Sequence, residues 1–417
     1  MKKRIFVMSL CMTLLISIPF ASMAADKEGL KDLNGHWSEG QVTKAVETGW
    51  VNGYPDGTFR PEATITRAEF TKMALAADRL IPGSENAAMY ESDRYQYSQL
   101  YESGKESYKD KQYPEGVFYE APQESLTDVN NHWLTKQGWT TIALNYGMLV
   151  SEDYAHAGYR FYPDKPITRY EMAIIMDRML GLVYPANENH KDENTGFTDD
   201  NSMKDWQRGY VIEAYNAGVL QGYPDGSFHG EKTATRAEAV TMVQNALDYM
   251  EKGLDPEITV KTCLKNLYYY DDWDKPVEKA LAQIIDGKIY VPLDRCYASD
   301  SRSDLQSGFP SRSANWAPVQ QSIVFFREEE SFLFTAGTEV TGFGMSEDIR
   351  RDYLNYSHEY LSVPARMLYG HLMVGLEPVE RNDETEENKF PNQQTVFWDA
   401  DAKTAVFDIR PAPYHWS

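Results

Sequence analysis

Two stretches near the amino-terminal end carry apolar residues at helical spacing. Val42, Ala45 and Val46 fall on one side of a helix, and Gly49 after them is a typical helix stop. A second apolar stretch with the same period covers residues 70–77. The pattern predicts two amphipathic helices joined by a polar segment.

The polar segment contains signals for a turn and for a helix start. Pro55 presets φ, Asp56 can bond back to the backbone, and Gly57 takes a positive φ. Thr66, followed three residues later by Glu69, predicts a capping box at the start of the second helix. The sequence therefore predicts a helix–turn–helix unit.

This unit recurs along the chain. Each complete copy has a tryptophan, a glycine 16 residues later and an arginine 14 residues after the glycine. These residues are Trp37, Gly53 and Arg67 in the first copy and Trp206, Gly222 and Arg236 in the last. A middle copy keeps Trp133 and Arg169, with SEDYAHAGYR where the Tyr-Pro-Asp-Gly turn stands elsewhere.

The capping box recurs in step with these residues. Its further copies are Thr168 with Glu171 and Thr235 with Glu238. We therefore predict three repeats, over residues 25–82, 124–186 and 187–254. Residues 83–123 form a polar, Tyr-rich insertion, which is either a surface excursion or short helix off the first repeat, or extra aromatic surface facing a sugar.

The pattern changes after residue 254. Runs of β-branched and aromatic residues predict strands at 258–260, 288–291, 322–326, 332–334, 395–398 and 404–409. Helical pieces are predicted at 277–285 and 346–353. These elements indicate an α+β domain over residues 255–417.

Charge and the first residues limit what the protein can do. The 417 residues carry a formal net charge of -22, so the overall field does not attract nucleic acid or anionic lipid. Three basic residues, an apolar run and small residues up to Ala24 predict a secretory signal peptide over residues 1–24. No later stretch is apolar enough for a membrane span, which predicts an exported protein without one.

Candidate chemistry is sparse. Cys263 and Cys296 remain after the signal peptide and either pair as a disulfide or are two buried apolar side chains. The eight histidines show no metal-ligand pair spacing, and no nucleophile or phosphate-loop motif is present. We therefore predict no catalytic residue, no metal and no cofactor.

The repeats resemble the S-layer homology (SLH) family through DLNGHW, GYPDGTF and ITRAE in the first copy and GYPDGSF and ATRAE in the last. The resemblance covers about residues 30–250. It implies a multi-domain chain with a mainly α, pseudo-threefold SLH trimer followed by the α+β domain. It also implies a noncatalytic wall anchor, secreted to the cell wall or S-layer, that binds secondary cell-wall polysaccharide, often with a pyruvate ketal, or a peptidoglycan-linked glycan.

The arginine of each T-R-A-E segment is the best candidate for a ligand contact. Arg67, Arg169 and Arg236 fall at the first helical position, where unpaired N–H groups and the helix dipole attract anions. An arginine fork there can bind a sugar carboxylate, or it can instead pair with a neighbouring acidic group. In the family, the grooves between repeats hold the polysaccharide. Departures from the family pattern in the second and third copies therefore imply that these grooves differ in binding strength.

Other candidate residues have two interpretations each. Trp37, Trp133 and Trp206 are either core aromatics or sugar-stacking platforms. Asp32 and Asp128 either bond ligand hydroxyls or cap a helix. Gly53 and Gly222 allow the backbone to approach either a sugar or the next repeat.

The last third resembles the copper amine oxidase N-terminal-like domain in two places. These are the Val-Pro elements at 289–293 and 361–366 and the V-x-W-D ending at 396–406. The resemblance implies neither copper nor oxidation. Two alternatives to the anchor stay open: a wall-anchored enzyme whose last third modifies or hydrolyses wall glycan, and a self-assembling S-layer component. The sequence does not identify any lateral protein partner.

Overall fold

The structure is a computed structural model. It describes residues 30–84, 86–91, 126–188, 190 and 193–254 of the repeat region. In the last third it describes residues 259–263, 283–285, 288–292, 314–319, 321–327, 330–338, 340–345, 357–360, 363–376, 378–380, 395–399 and 404–408. The predicted signal peptide and Cys296 lie outside these residues, as does the insertion beyond residue 91.

The repeat region is helical. Its α-helices are α1 (Glu39–Glu47), α2 (Arg67–Ala77), α3 (Ala88–Glu91), α4 (Trp133–Lys136), α5 (Trp139–Tyr146), α6 (Arg169–Leu180), α7 (Val183–Glu188), α8 (Asp205–Asn216) and α9 (Arg236–Glu251). Two 3₁₀-helices cover Ser151–Ala157 and Asp200–Ser202. The first fills the place of the missing turn in the middle repeat.

The two helices predicted from the apolar pattern of the first repeat are confirmed as α1 and α2. Capping boxes form at the start of α2, α6 and α9, where Thr66, Thr168 and Thr235 each accept a bond from the amide of the glutamate three residues on. In the middle repeat the first helix is divided into α4 and α5 by Gly138, whose φ is +86°.

Three extended segments just before these capped helices are hydrogen-bonded in a closed cycle. The amide of Ile65 donates to the carbonyl of Ala234 (3.2 Å), that of Ala234 to Ile167 (2.9 Å), and that of Ile167 back to Ile65 (3.0 Å). Each repeat therefore contacts both others, and α2, α6 and α9 all start from one ring.

The described part of the last third is built of strands. They are β1 (Thr259–Cys263), β2 (Gln283–Ile285), β3 (Lys288–Pro292), β4 (Ala314–Ala317), β5 (Ser322–Arg327), β6 (Glu330–Thr335), β7 (Val340–Met345), β8 (Ser357–Tyr360), β9 (Arg366–Leu368), β10 (His371–Leu376), β11 (Pro378–Glu380), β12 (Thr395–Asp399) and β13 (Thr404–Asp408).

These strands form three sheets. Two are antiparallel, with strand orders β2-β3-β10-β9 and β4-β5-β6-β7-β8. The third, β1-β13-β12-β11, combines two parallel pairs with the antiparallel pair β12–β13. The six strands predicted from sequence are all present, and the sequence pattern missed the other seven, including the six-residue strands β7 and β10.

One helix prediction in this region is wrong in part. The piece expected over 277–285 ends in strand β2, because Gln283–Ile285 pairs with β3 in an antiparallel register. The remainder of that piece and the helix expected over 346–353 lie outside the described residues. The α+β composition of the last third therefore stays a prediction, because the helices and strands described there are strands alone.

The two antiparallel sheets pack directly on the helical region. One apolar core runs from Leu80 and Met179 of the repeats to Trp316, Met367 and Leu372 of the sheets. The backbones also approach closely, because a Cβ on Gly147 would lie 1.9 Å from the carbonyl oxygen of Pro318. The last third is thus docked on the repeats.

Candidate functional site

The candidate ligand arginines lie where consecutive repeats meet. We name these places junction 1–2 (Arg67 against the second repeat), junction 2–3 (Arg169 against the third) and junction 3–1 (Arg236 against the first). In each, the guanidinium donates to the carbonyl of a phenylalanine in the next repeat. The acceptors are Phe161 (2.7 Å), Phe228 (2.9 Å) and Phe59 (3.1 Å), respectively.

At two junctions the arginine charge is already paired. Arg67 forms an ion pair with Glu171, which raises the pKa of Arg67 against the opposing effect of its burial. Arg169 lies 3.7 Å from Glu238, and its Nη2 donates to the carbonyl of Gln221 at 2.7 Å. The interpretation that the arginine pairs with a neighbouring acid therefore fits these two junctions.

Junction 3–1 differs. Arg236 donates from Nε to Phe59 and from Nη2 to the carbonyl of Asn52 (3.4 Å), and its guanidinium carbon lies 5.0 Å from the ring centre of Tyr54. Among the described residues, no carboxylate lies within 4.0 Å of it and its Nη1 has no hydrogen-bond partner. Its charge is therefore available to an anion.

Asp32 and Asp128 hold the loops that carry these phenylalanines. The carboxylate of Asp32 accepts from the amides of Phe59 and Arg60, both at 2.7 Å. Asp128 accepts in the same way from Phe161 and its neighbour. The alternative that they cap a helix is wrong, because the N-caps are Ser38 and His132.

Sequence reasoning missed the third such aspartate, Asp199. It accepts from the amides of Phe228 and His229, both at 2.8 Å. The signal is Phe197-x-Asp199, but this aspartate lies seven residues before its tryptophan, against five in the other repeats. The 3₁₀-helix Asp200–Ser202 takes up the difference.

In each repeat the second amide bonded by the aspartate belongs to a residue with positive φ. These residues are Arg60 (58°), Tyr162 (50°) and His229 (52°). A left-handed non-glycine residue costs roughly 1–2 kcal/mol. The charged hydrogen bonds from the aspartates offset this cost and fix the loop conformation.

The three tryptophans separate into two groups. Trp37 and Trp206 are 59% and 51% exposed, so the core interpretation is wrong for them. Trp133 is partly buried against the core, and Lys72 Nζ lies 5.8 Å from its ring centre. The first and third repeats therefore present an indole to solvent just before or at the start of a first helix.

Gly53 and Gly222 make room for a side chain of their own repeat. A Cβ on Gly53 would lie 2.6 Å from Leu30, and one on Gly222 would lie 2.5 Å from Phe197. The Cβ positions of both glycines face their own repeat, while the carbonyls just before them, those of Asn52 and Gln221, accept from the arginines of neighbouring repeats. Close packing within the repeat explains both glycines.

Junction 2–3 also holds an open cleft of about 760 Å³. Tyr170, Tyr223 and Ser202 line it together with charged loop residues. Tyr223 donates to Glu238 at 2.5 Å and accepts from Lys232 at 2.8 Å, so its ring is held in place. An aromatic cleft with fixed polar groups can bind a polyhydroxylated ligand.

Metal-binding groups and membrane-spanning helices are the last features of the described residues that bear on the site. In the part of the chain that the structure describes, no group of three or more His, Cys, Asp or Glu side chains is arranged to hold a metal ion. None of the described helices is both long and apolar enough to cross a membrane.

Comparison with known proteins bears on the repeats. The S-layer homology domain model matches residues 29–71 and 196–240. The chain is 42% identical over 89 residues to the surface layer protein of Brevibacillus choshinensis, which is 21% of this chain and 8% of that protein.

Two longer alignments are with larger proteins. The cellulosome-anchoring protein of Acetivibrio thermocellus is 28% identical over 202 residues, 48% of this chain and 35% of that protein. The amylopullulanase of Thermoanaerobacterium thermosulfurigenes is 28% identical over 233 residues, 55% of this chain and 10% of that protein. The chain thus aligns with a minor part of these relatives' own length.

The two regions matched by the family model include Arg67 and Arg236 but not the middle repeat with Arg169. The family match and the relatives support a secreted location at the cell surface. They also support a surface protein anchored to the cell wall. The chain contains S-layer homology domains at residues 29–71 and 196–240.

Proposed function

We propose that the protein is a noncatalytic anchor whose repeats form a pseudo-threefold trimer and bind secondary cell-wall polysaccharide. The ligand is a glycan with an anionic group such as a pyruvate ketal. Arg236 at junction 3–1 binds that group, and the C-terminal sheets are carried on the far side of the helices. The closed cycle of hydrogen bonds between Ile65, Ile167 and Ala234 supports the trimer.

The observation that carries the proposal is the unpaired charge of Arg236. Of three equivalent arginines, it is the one without a carboxylate within 4.0 Å among the described residues. It stands at the first residue of α9, where the helix dipole also favours an anion. A buried arginine with a free N–H group is suited to a single carboxylate.

The exposed indoles of Trp37 and Trp206 are a second candidate recognition element. Trp37 and Trp206 belong to the repeats that carry the intact turn. An indole can pack against the apolar face of a sugar ring while its N–H bonds a hydroxyl. Several weak contacts of this kind on one polysaccharide add up through effective concentration.

The test uses the full secreted chain and purified cell walls, with and without chemical removal of the polysaccharide. Arg236→Ala removes a charge-assisted bond of about 1.5–3 kcal/mol, so cosedimentation should show binding about 10- to 100-fold weaker. Lys44→Ala is the matched control, because it removes one exposed positive charge that pairs with Asp248. Equal binding by both variants, or full binding to stripped walls, would contradict the proposal.

A second candidate, a wall-anchored enzyme, is favoured by the names of some relatives. Besides the amylopullulanase, an exoglucanase of Acetivibrio thermocellus is 26% identical over 221 residues, 52% of this chain and 16% of that protein. Release of soluble sugar from purified walls by the full chain would establish this activity. Walls left chemically unchanged by the bound protein would favour the anchor.

A further inference from the structure

The link between the second and third repeats packs on helix α8 through few apolar residues. It begins with α7, and a Cβ on Gly209 of α8 would lie 1.9 Å from the carbonyl oxygen of Ala186 in α7. Among the described residues, Ile174, Ala186 and Tyr210 form a buried cluster of their own, separate from the main apolar core. Because three apolar side chains bury little area, polar groups have a large share in holding this contact together.

A histidine in this contact is held between two carboxylates. Nε2 of His190 lies 2.6 Å from Glu213 of α8, and Nδ1 lies 3.0 Å from Glu193 of the histidine's own loop. The side chains of His190 and Glu213 are only 16% and 15% exposed. A carboxylate can only accept a hydrogen bond, and a neutral imidazole carries one N–H group. The two contacts together therefore need one proton more than a neutral imidazole supplies.

A third carboxyl group adds to the acidity of this region. Asp177 of α6 is fully buried, and neither of its oxygens has a hydrogen-bond partner among the described residues. Burial, together with the charge of Glu213, raises the pKa of Asp177 well above 3.8, while Arg178 acts in the opposite direction. Arg178 is itself paired with Asp153, at 2.8 and 3.3 Å. The nearest cation is therefore already used elsewhere.

We name this contact the connector seam, and acidic groups face its histidine from two sides. Glu193 reaches the ring from the loop and Glu213 reaches it from α8. Asp177 of α6 acts on Glu213 from behind the helix contact, and Tyr210 of α8 lies 5.9 Å from the paired Arg178. In the described part of the seam, the charge that can balance these carboxylates is therefore a proton on the imidazole.

We propose that the connector seam is a proton-operated clasp, in which His190 in its charged form binds Glu193 and Glu213 and ties the link between the second and third repeats to α8. At acid pH the imidazolium donates to both glutamates and the seam is closed. As pH rises through the range of about 5 to 8 in which histidine changes its charge, one glutamate loses its donor and the carboxylates repel one another. The seam then opens locally. This inference does not depend on the ligand proposed above.

The experiment measures amide hydrogen exchange of the full chain at about pH 5 and about pH 8, corrected for the intrinsic effect of pH on exchange. The peptides of interest cover α7, where the amide of Ala186 donates to the carbonyl of Leu182 at 3.0 Å. Loss of a hydrogen bond to a charged group should lower the protection of α7 in wild type by about 10- to 100-fold at the higher pH.

Two variants should remove this pH dependence in opposite directions. The amide of His190→Gln can donate to one glutamate only and carries no charge, so α7 should exchange fast at both pH values. The amide of Glu213→Gln can donate to a neutral imidazole that still donates to Glu193, so α7 should stay protected at both. His156→Gln is the matched control, because it removes an exposed histidine and should keep the pH dependence of wild type.

The inference is overturned if α7 of wild type is equally protected at both pH values, or if Glu213→Gln loses protection at the higher pH as wild type does. Loss of the pH dependence in His156→Gln would also overturn it. Glu213→Gln replaces a charge and keeps a contact, so it decides the question even if His190→Gln does not fold.

Discussion

The two ends of helices α2, α6 and α9 are used in opposite ways. At their amino-terminal ends, the capping threonines accept from free backbone N–H groups, and the junction arginines beside them donate to carbonyls of other repeats. At their carboxyl-terminal ends, the sheets of the last third cover the helices. Every helix leaves four N–H groups free at one end and four carbonyls at the other. Here threonine side chains cap the amino-terminal ends, and the last third of the chain packs on the carboxyl-terminal ends.

Contacts at the carboxyl-terminal ends show how the sheets serve them. The guanidinium of Arg366 donates to the carbonyl of Met250 (3.1 Å), and the side-chain amide Nε2 of Gln321 donates to the carbonyl of Arg178. A Cβ on Gly370 would lie 2.4 Å from Leu80. The last third is therefore packed on the carboxyl-terminal ends of the same helices whose amino-terminal ends form the junctions.

Truncating a buried side chain at the carboxyl-terminal ends of these helices should lower the free energy of unfolding most. Leu80 is fully buried above Gly370, so Leu80→Ala should lower the free energy of unfolding by about 2–5 kcal/mol through lost burial and a cavity. Ile81→Ala is the matched control, because Ile81 is 51% exposed and its loss should stay within about 0.5 kcal/mol. Chemical denaturation measures both, and similar losses would contradict the shared core.

A buried carboxyl makes the same end sensitive to pH. Asp78 ends α2 and is fully buried beside the sheets; burial raises its pKa well above 3.8, while Tyr146, Arg79 and the Gly370 amide act in the opposite direction. The protonated form is favoured when folded, so this group's contribution to stability is present at acid pH. It is lost as pH rises from about 4 towards the folded pKa.

Asp78→Asn should remove that loss. We expect the variant to gain stability over wild type as pH rises from about 4 to 8, measured by denaturation at several pH values. Asp248→Asn, which changes an exposed carboxylate, is the control and should give a difference that varies little with pH. Parallel curves for wild type and Asp78→Asn would contradict a protonated Asp78.

We expect the smallest effect at the amino-terminal ends of these helices. A variant there tests the contrast between a junction arginine that is paired with a carboxylate and one that is not. Glu171→Gln releases Arg67 from its ion pair, and the glutamine can still accept from the Thr168 amide. Junction 1–2 would then resemble junction 3–1, and binding of native polysaccharide should rise by a few-fold. Unchanged binding, measured by titration of the full chain, would show that a free arginine does not suffice.

Local features were read correctly because their causes are local. The capping threonines and the glycine that ends α1 act within a few residues, so spacing alone places them. The ion pair of Arg67 with Glu171 joins residues 104 apart in sequence, and no local pattern predicts it. Asp199 was missed because its distance from Trp206 differs by two residues from that in the other repeats.

The sequence by itself determined the repeated motif, the starts of the three capped helices and six of the thirteen strands described, since these depend on periodicity and backbone conformation. Only the tertiary structure decided which arginine stays unpaired, which tryptophans face solvent, and that the last third packs on the helices. Those outcomes depend on groups brought together from distant parts of the chain. Among the described residues no carboxylate lies within 4.0 Å of Arg236, and the sequence cannot show this because the groups around Arg236 come from distant parts of the chain.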